Sequence, residues 1–253
     1  MKHLVRIEGL SFSYPDGQHA LQCITLSVYQ GENVALIGPN GAGKSTLLLH
    51  LNGVLRSNGR VTVFDTPVQE KTLKLIRCKV GLVFQEPDDQ LFSPTVFDDV
   101  AFGPLSMGCL EAEVRERVSQ ALAWVGMSGF EERAPHHLSV GQKKRIAIAT
   151  VLALRPELLV LDEPTSSLDP GSKHALLDLL HSLPQTKVVA SHDLEVVRAL
   201  CQRVVVMDEG RIVADGPTTE ILGDTLLLQA HSLAPHKRPQ PASLAVAGAR
   251  PEA

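Results

Sequence analysis

The stretch Gly38-Pro39-Asn40-Gly41-Ala42-Gly43-Lys44-Ser45-Thr46 decides the fold. It has the spacing G-x-x-x-x-G-K-[ST], in which glycines let the backbone curl until successive N–H groups point at one anion. Its flanks suit that use. Val34-Ala35-Leu36-Ile37 is a short apolar run bounded by glycines, as in a strand buried on both faces. Leu47-Leu48-Leu49 continues from Lys44 as a helix, whose N-terminal dipole adds to the anion site. Strand, loop and helix in this order predict a phosphate-binding loop built by Gly38, Asn40, Gly41, Gly43 and Thr46. Lys44 is placed to neutralise the β- and γ-phosphates of a nucleotide, and the Ser45 hydroxyl to ligate Mg²⁺.

Around this loop, strands alternate with helices. Residues 80–84, 158–161 and 187–190 are further buried-strand candidates. Val114, Val118, Ala121, Leu122 and Val125 recur at helical spacing, in a helix that should end near Gly126. The alternation predicts an α/β fold with a mostly parallel sheet. Ahead of it, residues 4–14, the turn Pro15-Asp16-Gly17 and residues 21–28 read as β structure. Residues from about 86 to 150 read as a helical insertion, and 204–214 as a hairpin turning at Asp208-Glu209-Gly210. Residues 1–230 are expected to form one domain. Residues 231–253, rich in Pro, Ala and Ser, are expected to be a disordered tail in which His231 and His236 are merely solvated.

Composition narrows the class. Hydrophobic residues make up 44% of the 253, enough for a sizeable core, and the 21% charged fraction excludes wholesale disorder. A net charge of −4 argues against a chain that coats nucleic acid, so no nucleic-acid partner is expected. No apolar run approaches the roughly 18 residues that span a bilayer. The start, Met1-Lys2-His3-Leu4, lacks a secretory apolar core. Cys23, Cys78, Cys109 and Cys201 form no C-x-x-C pair and suit reduced thiols of the cytosol.

Leu158-Leu159-Val160-Leu161-Asp162-Glu163 is an apolar strand ending in two carboxylates. Such a strand delivers Asp162 to a metal, directly or through water. Glu163 is placed to orient and deprotonate an attacking water. Standing alone, two acids at a strand tip are also an ordinary solvated edge; the phosphate loop upstream favours the catalytic reading.

Leu138-Ser139-Val140-Gly141-Gln142 resembles the Leu-Ser-Gly-Gly-Gln signature of ATP-binding cassette (ABC) ATPases, and further motifs of that family stand around it in the family's order. Gln85 resembles the Q-loop glutamine, and Ser167-Leu168-Asp169 the D-loop. His192, in Ala190-Ser191-His192-Asp193, resembles the switch histidine that senses the γ-phosphate and helps hold the attacking water. Tyr14 resembles the aromatic that stacks on adenine, although alternation in Ser11-Phe12-Ser13-Tyr14 leaves either ring as the core residue. The resemblance spans about residues 4–222. It implies a P-loop ATPase core with an N-terminal antiparallel β subdomain and a helical insertion, with ATP and Mg²⁺ as cofactors. It also implies catalytic roles for Glu163, His192 and Gln85, and metal ligation by Ser45, Gln85 and Asp162.

Ser139 is a good N-cap for a helix from about 142 to 154, and its hydroxyl with the Gly141 N–H offers an anion site. In the family that site binds the γ-phosphate held by the other subunit, so two cassettes close head-to-tail around two ATP molecules. Val140 departs from the family's glycine. It is strained if the position needs a positive φ, and only crowds the phosphate if it does not.

The run Gln85-Glu86-Pro87-Asp88-Asp89-Gln90-Leu91-Phe92 and its continuation through Pro104 are similar to energy-coupling factor transporters, which import transition metals or vitamins. The stretch from Lys44 to Ser139 is too short for the coiled-coil insertion of repair-type cassettes. A single phosphate loop speaks against the tandem ribosome-associated type. The resemblance implies an ATP hydrolase peripheral to the cell membrane on its cytoplasmic side. Its expected partners are a transmembrane coupling protein, a substrate-capture membrane protein, and either a copy of itself or a second cassette. The cobalt or nickel type, a single cassette forming a homodimer, is the best match; a vitamin importer and a non-transport ABC ATPase are the alternatives.

Overall fold

The computed structural model describes residues 2–56 and 61–233. In chain order it forms β1 (His3–Ser13), β2 (His19–Tyr29), β3 (Val34–Ile37), α1 (Lys44–Leu51), β4 (Val61–Val63) and β5 (Thr66–Pro67). Next come α2 (Leu73–Lys79), β6 (Val80–Val83), α3 (Val96–Met107), α4 (Glu111–Trp124), α5 (Val140–Leu152) and β7 (Leu158–Asp162). The rest is α6 (Pro170–Ser182), β8 (Thr186–Ala190), α7 (Leu194–Leu200), β9 (Arg203–Asp208), β10 (Arg211–Pro217), α8 (Thr218–Ile221) and α9 (Thr225–Ala230).

Two sheets result. One is antiparallel, ordered β2-β1-β4-β5; the other is ordered β10-β9-β3-β8-β7-β6 and is parallel except for β10. Strands β3 and β6 are buried at every position, which is why they read as unbroken apolar runs. Strand β8 is buried throughout as well, but it opens with Thr186 and Lys187, whose ammonium is held by the Leu183 and Gln185 carbonyls. The edge strand β10 instead alternates exposed and half-buried residues. The pleat of β7 divides the interior. Leu159 and Leu161 join the cluster under α3, α4 and α5, while Leu158 and Val160 join the cluster of β1, β2 and α1. Between β6 and β7 the described chain is helix and loop only.

Two expectations are corrected. The helix placed at about 142–154 runs Val140–Leu152, because Ser139 and Gln142 close a capping box. The Ser139 Oγ accepts the Gln142 N–H at 3.3 Å, and the Gln142 Oε1 accepts the Ser139 N–H at 3.0 Å. His231 is not merely solvated. Its Nδ1 lies 2.7 Å from the Asp208 carboxylate at the end of β9, a hydrogen bond that no local sequence pattern announces. His236 and the rest of the expected tail from residue 234 lie outside the described residues.

One buried histidine gives stability a pH dependence. His50, on α1, is 1% exposed, and its Nδ1 donates to the Thr46 carbonyl at 2.8 Å, leaving a bare, unpartnered Nε2. Burial holds its pKa below the usual 6.5, so the unfolded chain takes up a proton more readily. Its contribution is therefore present above about pH 6.5 and lost as pH falls through the folded value. The urea midpoint should drop on acidification from pH about 7 to about 5.5, and His50→Gln should flatten that slope. Leu161→Ala, at a fully buried position of β7, should cost about 2–5 kcal/mol in the same denaturation.

Candidate functional site

The phosphate loop lies between the two sheets and is held by backbone. The Gly210 N–H donates to the Ala42 carbonyl at 3.2 Å, and the Gln22 N–H to the Gly210 carbonyl at 2.7 Å. Gly43 has φ +96°, and a Cβ there would strike the Ala20 carbonyl oxygen. A Cβ on Gly38 would strike the Met207 carbonyl oxygen. These two glycines are required by close approach of β2 and β9. The loop then opens into α1 at Lys44.

Tyr14, Asn40, Gly41, Gly43, Lys44, Ser45, Thr46, Gln85, Asp162, Glu163 and His192 line one cleft of about 390 Å³. Gly38 is not among the lining residues and joins the site through its carbonyl, which accepts from the Lys44 ammonium, while Gln18, Ala20 and Ala42 also face the cleft. A larger groove of about 840 Å³ among β1, β2 and β10 carries none of the motif residues except the neighbour Phe12. Strand order explains the convergence. Strand β8 separates β7 from β3, so Asp162 approaches the loop from one strand away, and His192 follows β8 between them. The ambiguity between the two N-terminal rings resolves by packing. Phe12 turns edge-on to His50 with ring centroids 4.9 Å apart, whereas Tyr14 faces the cleft and its hydroxyl lies 3.1 Å from the Thr46 Oγ1.

Charge is concentrated here at low exposure. The Lys44 ammonium is 7% exposed and donates to the carbonyls of Gly38 (2.7 Å) and Pro39 (3.0 Å). Burial lowers its pKa, opposed by the charges of Glu163 and Asp162. Burial pushes the Asp162 carboxyl up, against a hydrogen bond from the Ser45 hydroxyl. The other Asp162 oxygen, Oδ1, is buried without a hydrogen-bond partner. An unpaired carboxylate oxygen beside the Ser45 hydroxyl and the Gln85 amide is an all-oxygen donor set suited to a hard divalent cation. Among the described residues no cluster of three or more His, Cys, Asp or Glu could form a closed metal cage. One carboxylate with a hydroxyl and an amide oxygen suits Mg²⁺, which takes one or two protein carboxylates and completes its shell with water and phosphate.

Glu163 adopts φ +43°, a left-handed conformation that costs a residue with a side chain about 1–3 kcal/mol. Its N–H donates to the Ala190 carbonyl at 2.9 Å, and its Oε1 accepts the His192 N–H at 2.9 Å with the His192 Nδ1 at 2.8 Å. The carboxylate is thereby aimed across the end of β8, beside a histidine whose side chain is 65% exposed.

Ser139 and Gly141 do not line this cleft. They stand at the exposed N-terminus of α5, with Gly141 packed near Ser172 and Leu168 of the segment entering α6. Val140 takes an ordinary negative φ as the first helical residue and is 45% exposed, so it carries no backbone strain. One buried residue escaped the sequence reading. Lys144 is 4% exposed and reaches both Gln85 and Glu163 by hydrogen bonds to their carbonyls. The available signal was a lysine at the buried helical spacing 144, 147, 148 and 151.

The family model of ABC transporters matches residues 21–166. The energy-coupling factor transporter ATP-binding protein EcfA of Methanothermobacter thermautotrophicus is 50% identical over 236 residues, covering 91% of this chain and 76% of that protein. CbiO1 of Clostridium perfringens, part of the ABC transporter complex CbiONQ, is 39% identical with a TM-score of 0.79, covering 92% of this chain and 96% of the other. The ATP-binding cassette MJ0796, solved as a dimer in a post-hydrolysis state with ADP and Pi, is 28% identical with a TM-score of 0.76 over 85% and 98% of the two chains. Val140→Gly should leave the ATPase rate within about twofold, the ~0.5 kcal/mol of an exposed substitution; a rise beyond about tenfold would show that the valine obstructs the phosphate.

Proposed function

Because the chain belongs to the family of ABC transporter ATP-binding proteins, and is an ATP-hydrolysing subunit of the energy-coupling factor type, we propose that it powers import of a cobalt or nickel ion. In this reading two copies close head-to-tail, each lending its signature to the nucleotide of the other. The observation that carries the paired ATPase is the separation of parts: eleven motif residues share one cleft, and Ser139 and Gly141 are absent from it. The metal cargo rests on the likeness to CbiO1 and the Q-loop run. The dimeric state of the MJ0796 cassette supports the pairing of two copies.

The cleft residues then take these roles. Loop N–H groups and Lys44 bind the phosphates, and Tyr14 stacks on the adenine. Ser45, Asp162 and Gln85 would hold Mg²⁺, whose charge would offset that developing on the phosphate oxygens. Glu163 accepts a proton from the attacking water, and His192 steadies the γ-phosphate and that water.

No helix among the described residues is long and apolar enough to cross a membrane; in this reading other chains form the pore. Phe92 (67% exposed), Phe102 (56%) and Leu105 (56%) form an apolar patch just after the Q-loop, with the two rings 5.3 Å apart. Such a patch suits a cytoplasmic helix of a transmembrane coupling protein, which a substrate-capture protein joins. The likeness to CbiO1, a subunit of a larger complex, supports such partners and a place on the cytoplasmic face of the cell membrane.

Glu163→Gln should lower kcat by about 10²–10⁴-fold and trap an ATP-bound dimer on size exclusion; normal hydrolysis would remove Glu163 as the base. Lys44→Ala should abolish nucleotide binding or turnover, and unchanged activity would refute the phosphate-loop assignment. Deleting the chain from its native cell should abolish Co²⁺ or Ni²⁺ uptake, while lost vitamin uptake with intact metal uptake would move the cargo to the other class.

A further inference from the structure

Lys144 lies on α5, about one turn beyond Ser139 and Gly141. Its ammonium donates to the Gln85 carbonyl at 3.0 Å, the Glu163 carbonyl at 3.1 Å and the Ser166 Oγ at 3.0 Å. An ammonium has three N–H donors, and all three are engaged. Each acceptor belongs to a different functional segment: the Q-loop after β6, the carboxylate end of β7, and the segment leading into α6.

Burying this charge needs a reason. Lys144 is 4% exposed, and among the described residues no carboxylate is hydrogen-bonded to it, although the charges of Glu86, Glu163 and Asp162 act on it from farther off. A buried ammonium held by neutral acceptors is costly, and packing alone would be served by an apolar residue such as its neighbours Ile146 and Ile148. The Lys143–Asp88 ion pair and the Gln90 amide, bonded to the Ala147 carbonyl and the Thr150 Oγ1, already tie α5 to the Q-loop. Neither touches Glu163. The contact peculiar to Lys144 is the Glu163 carbonyl, on the residue held at φ +43°.

We propose that Lys144 is a positioning residue that locks the Glu163 peptide to the helix whose other end serves the partner's nucleotide. The proposal rests on the reading of Glu163 as base and of the signature as lent in trans. A left-handed glutamate has a lower-energy alternative, and relaxing to it would swing the carboxylate away from the cleft. The hydrogen bond from Lys144, together with the Ser166 N–H at 3.1 Å, opposes that swing at the carbonyl. Because Ser139, Gly141 and Lys144 share one helix, seating the partner's phosphate on the signature braces Glu163 in the copy that lends it. The two active sites are therefore coupled through α5.

The test is steady-state hydrolysis by the full chain over a range of ATP concentrations. Lys144→Met, similar in length but without donors or charge, should lower kcat roughly 10- to 100-fold. Its KM should stay within about threefold, the mark of a lost transition-state interaction, and its Hill coefficient should fall toward unity. Ser166→Ala removes one acceptor and should lower kcat by about two- to fivefold at unchanged KM. A Lys144→Met rate within about twofold of the parent, or a raised KM at unchanged kcat, overturns the proposal. If that variant does not fold, a parental kcat for Ser166→Ala overturns it instead. Full activity of Glu163→Gln would fell the underlying reading, whereas an inactive Glu163→Gln beside an active Lys144→Met fells this inference alone.

Discussion

Two backbone carbonyls set the shape of the nucleotide site. Ala20, in β2, and Met207, in β9, press so closely on the phosphate loop that Gly43 and Gly38 have no room for a side chain. Gly210 is caught in the same crowding, with a hypothetical Cβ only 2.7 Å from the Ala20 carbonyl oxygen. The loop is thus clamped between an antiparallel sheet and a parallel one, and its N–H groups are pre-oriented by packing. Preorganised donors of this kind bind phosphate charge without a reorganisation cost at the moment of reaction. The long-range bonds from Gln22 to Gly210 and from Gly210 to Ala42 complete the clamp.

From that clamp follow the positions of the acids. With β8 between β3 and β7, Asp162 meets Ser45 at the start of α1, and Glu163 turns left-handed to face His192. The site gathers buried Lys44, Lys144 and Glu163 with half-buried Asp162, mutually compensating charges that would be unstable singly. What the cleft lacks is the signature. In the proposed function, placing Ser139 and Gly141 on a separate surface leaves each chain with an incomplete site and gives ATP the task of joining two copies. Opening and closing of that joint is the motion an import machine needs, and the exposed Phe92–Phe102 patch beside the Q-loop is where it would be passed on.

Much of this was legible in the sequence because the decisive features are local. Strands β3 and β6 and the first four residues of β7 are buried on both faces, so they appear as apolar runs, and the phosphate loop needs particular residues at particular places. The start of α5 was misplaced by two residues: Val140 and Gly141 are poor helix formers, and only the reciprocal Ser139–Gln142 cap pulls them in. The choice between Phe12 and Tyr14 needed His50, distant in sequence. His231 found Asp208 across the fold, against the reading of a solvated tail residue. Lys144 was missed because lysine is almost never buried, and only its three acceptors, gathered from distant segments, make burial tolerable.

The central claim is that each chain completes the active site of another, and complementation tests it most directly. Chains carrying Lys44→Ala and chains carrying Ser139→Arg are each expected to be inactive. In a mixed dimer, one site combines the intact phosphate loop of the Ser139→Arg chain with the intact signature of the Lys44→Ala chain. Mixing the two purified variants should therefore restore ATP hydrolysis. A mixture as inactive as its components would contradict the account, since it would mean that the signature does not serve the nucleotide of a second copy.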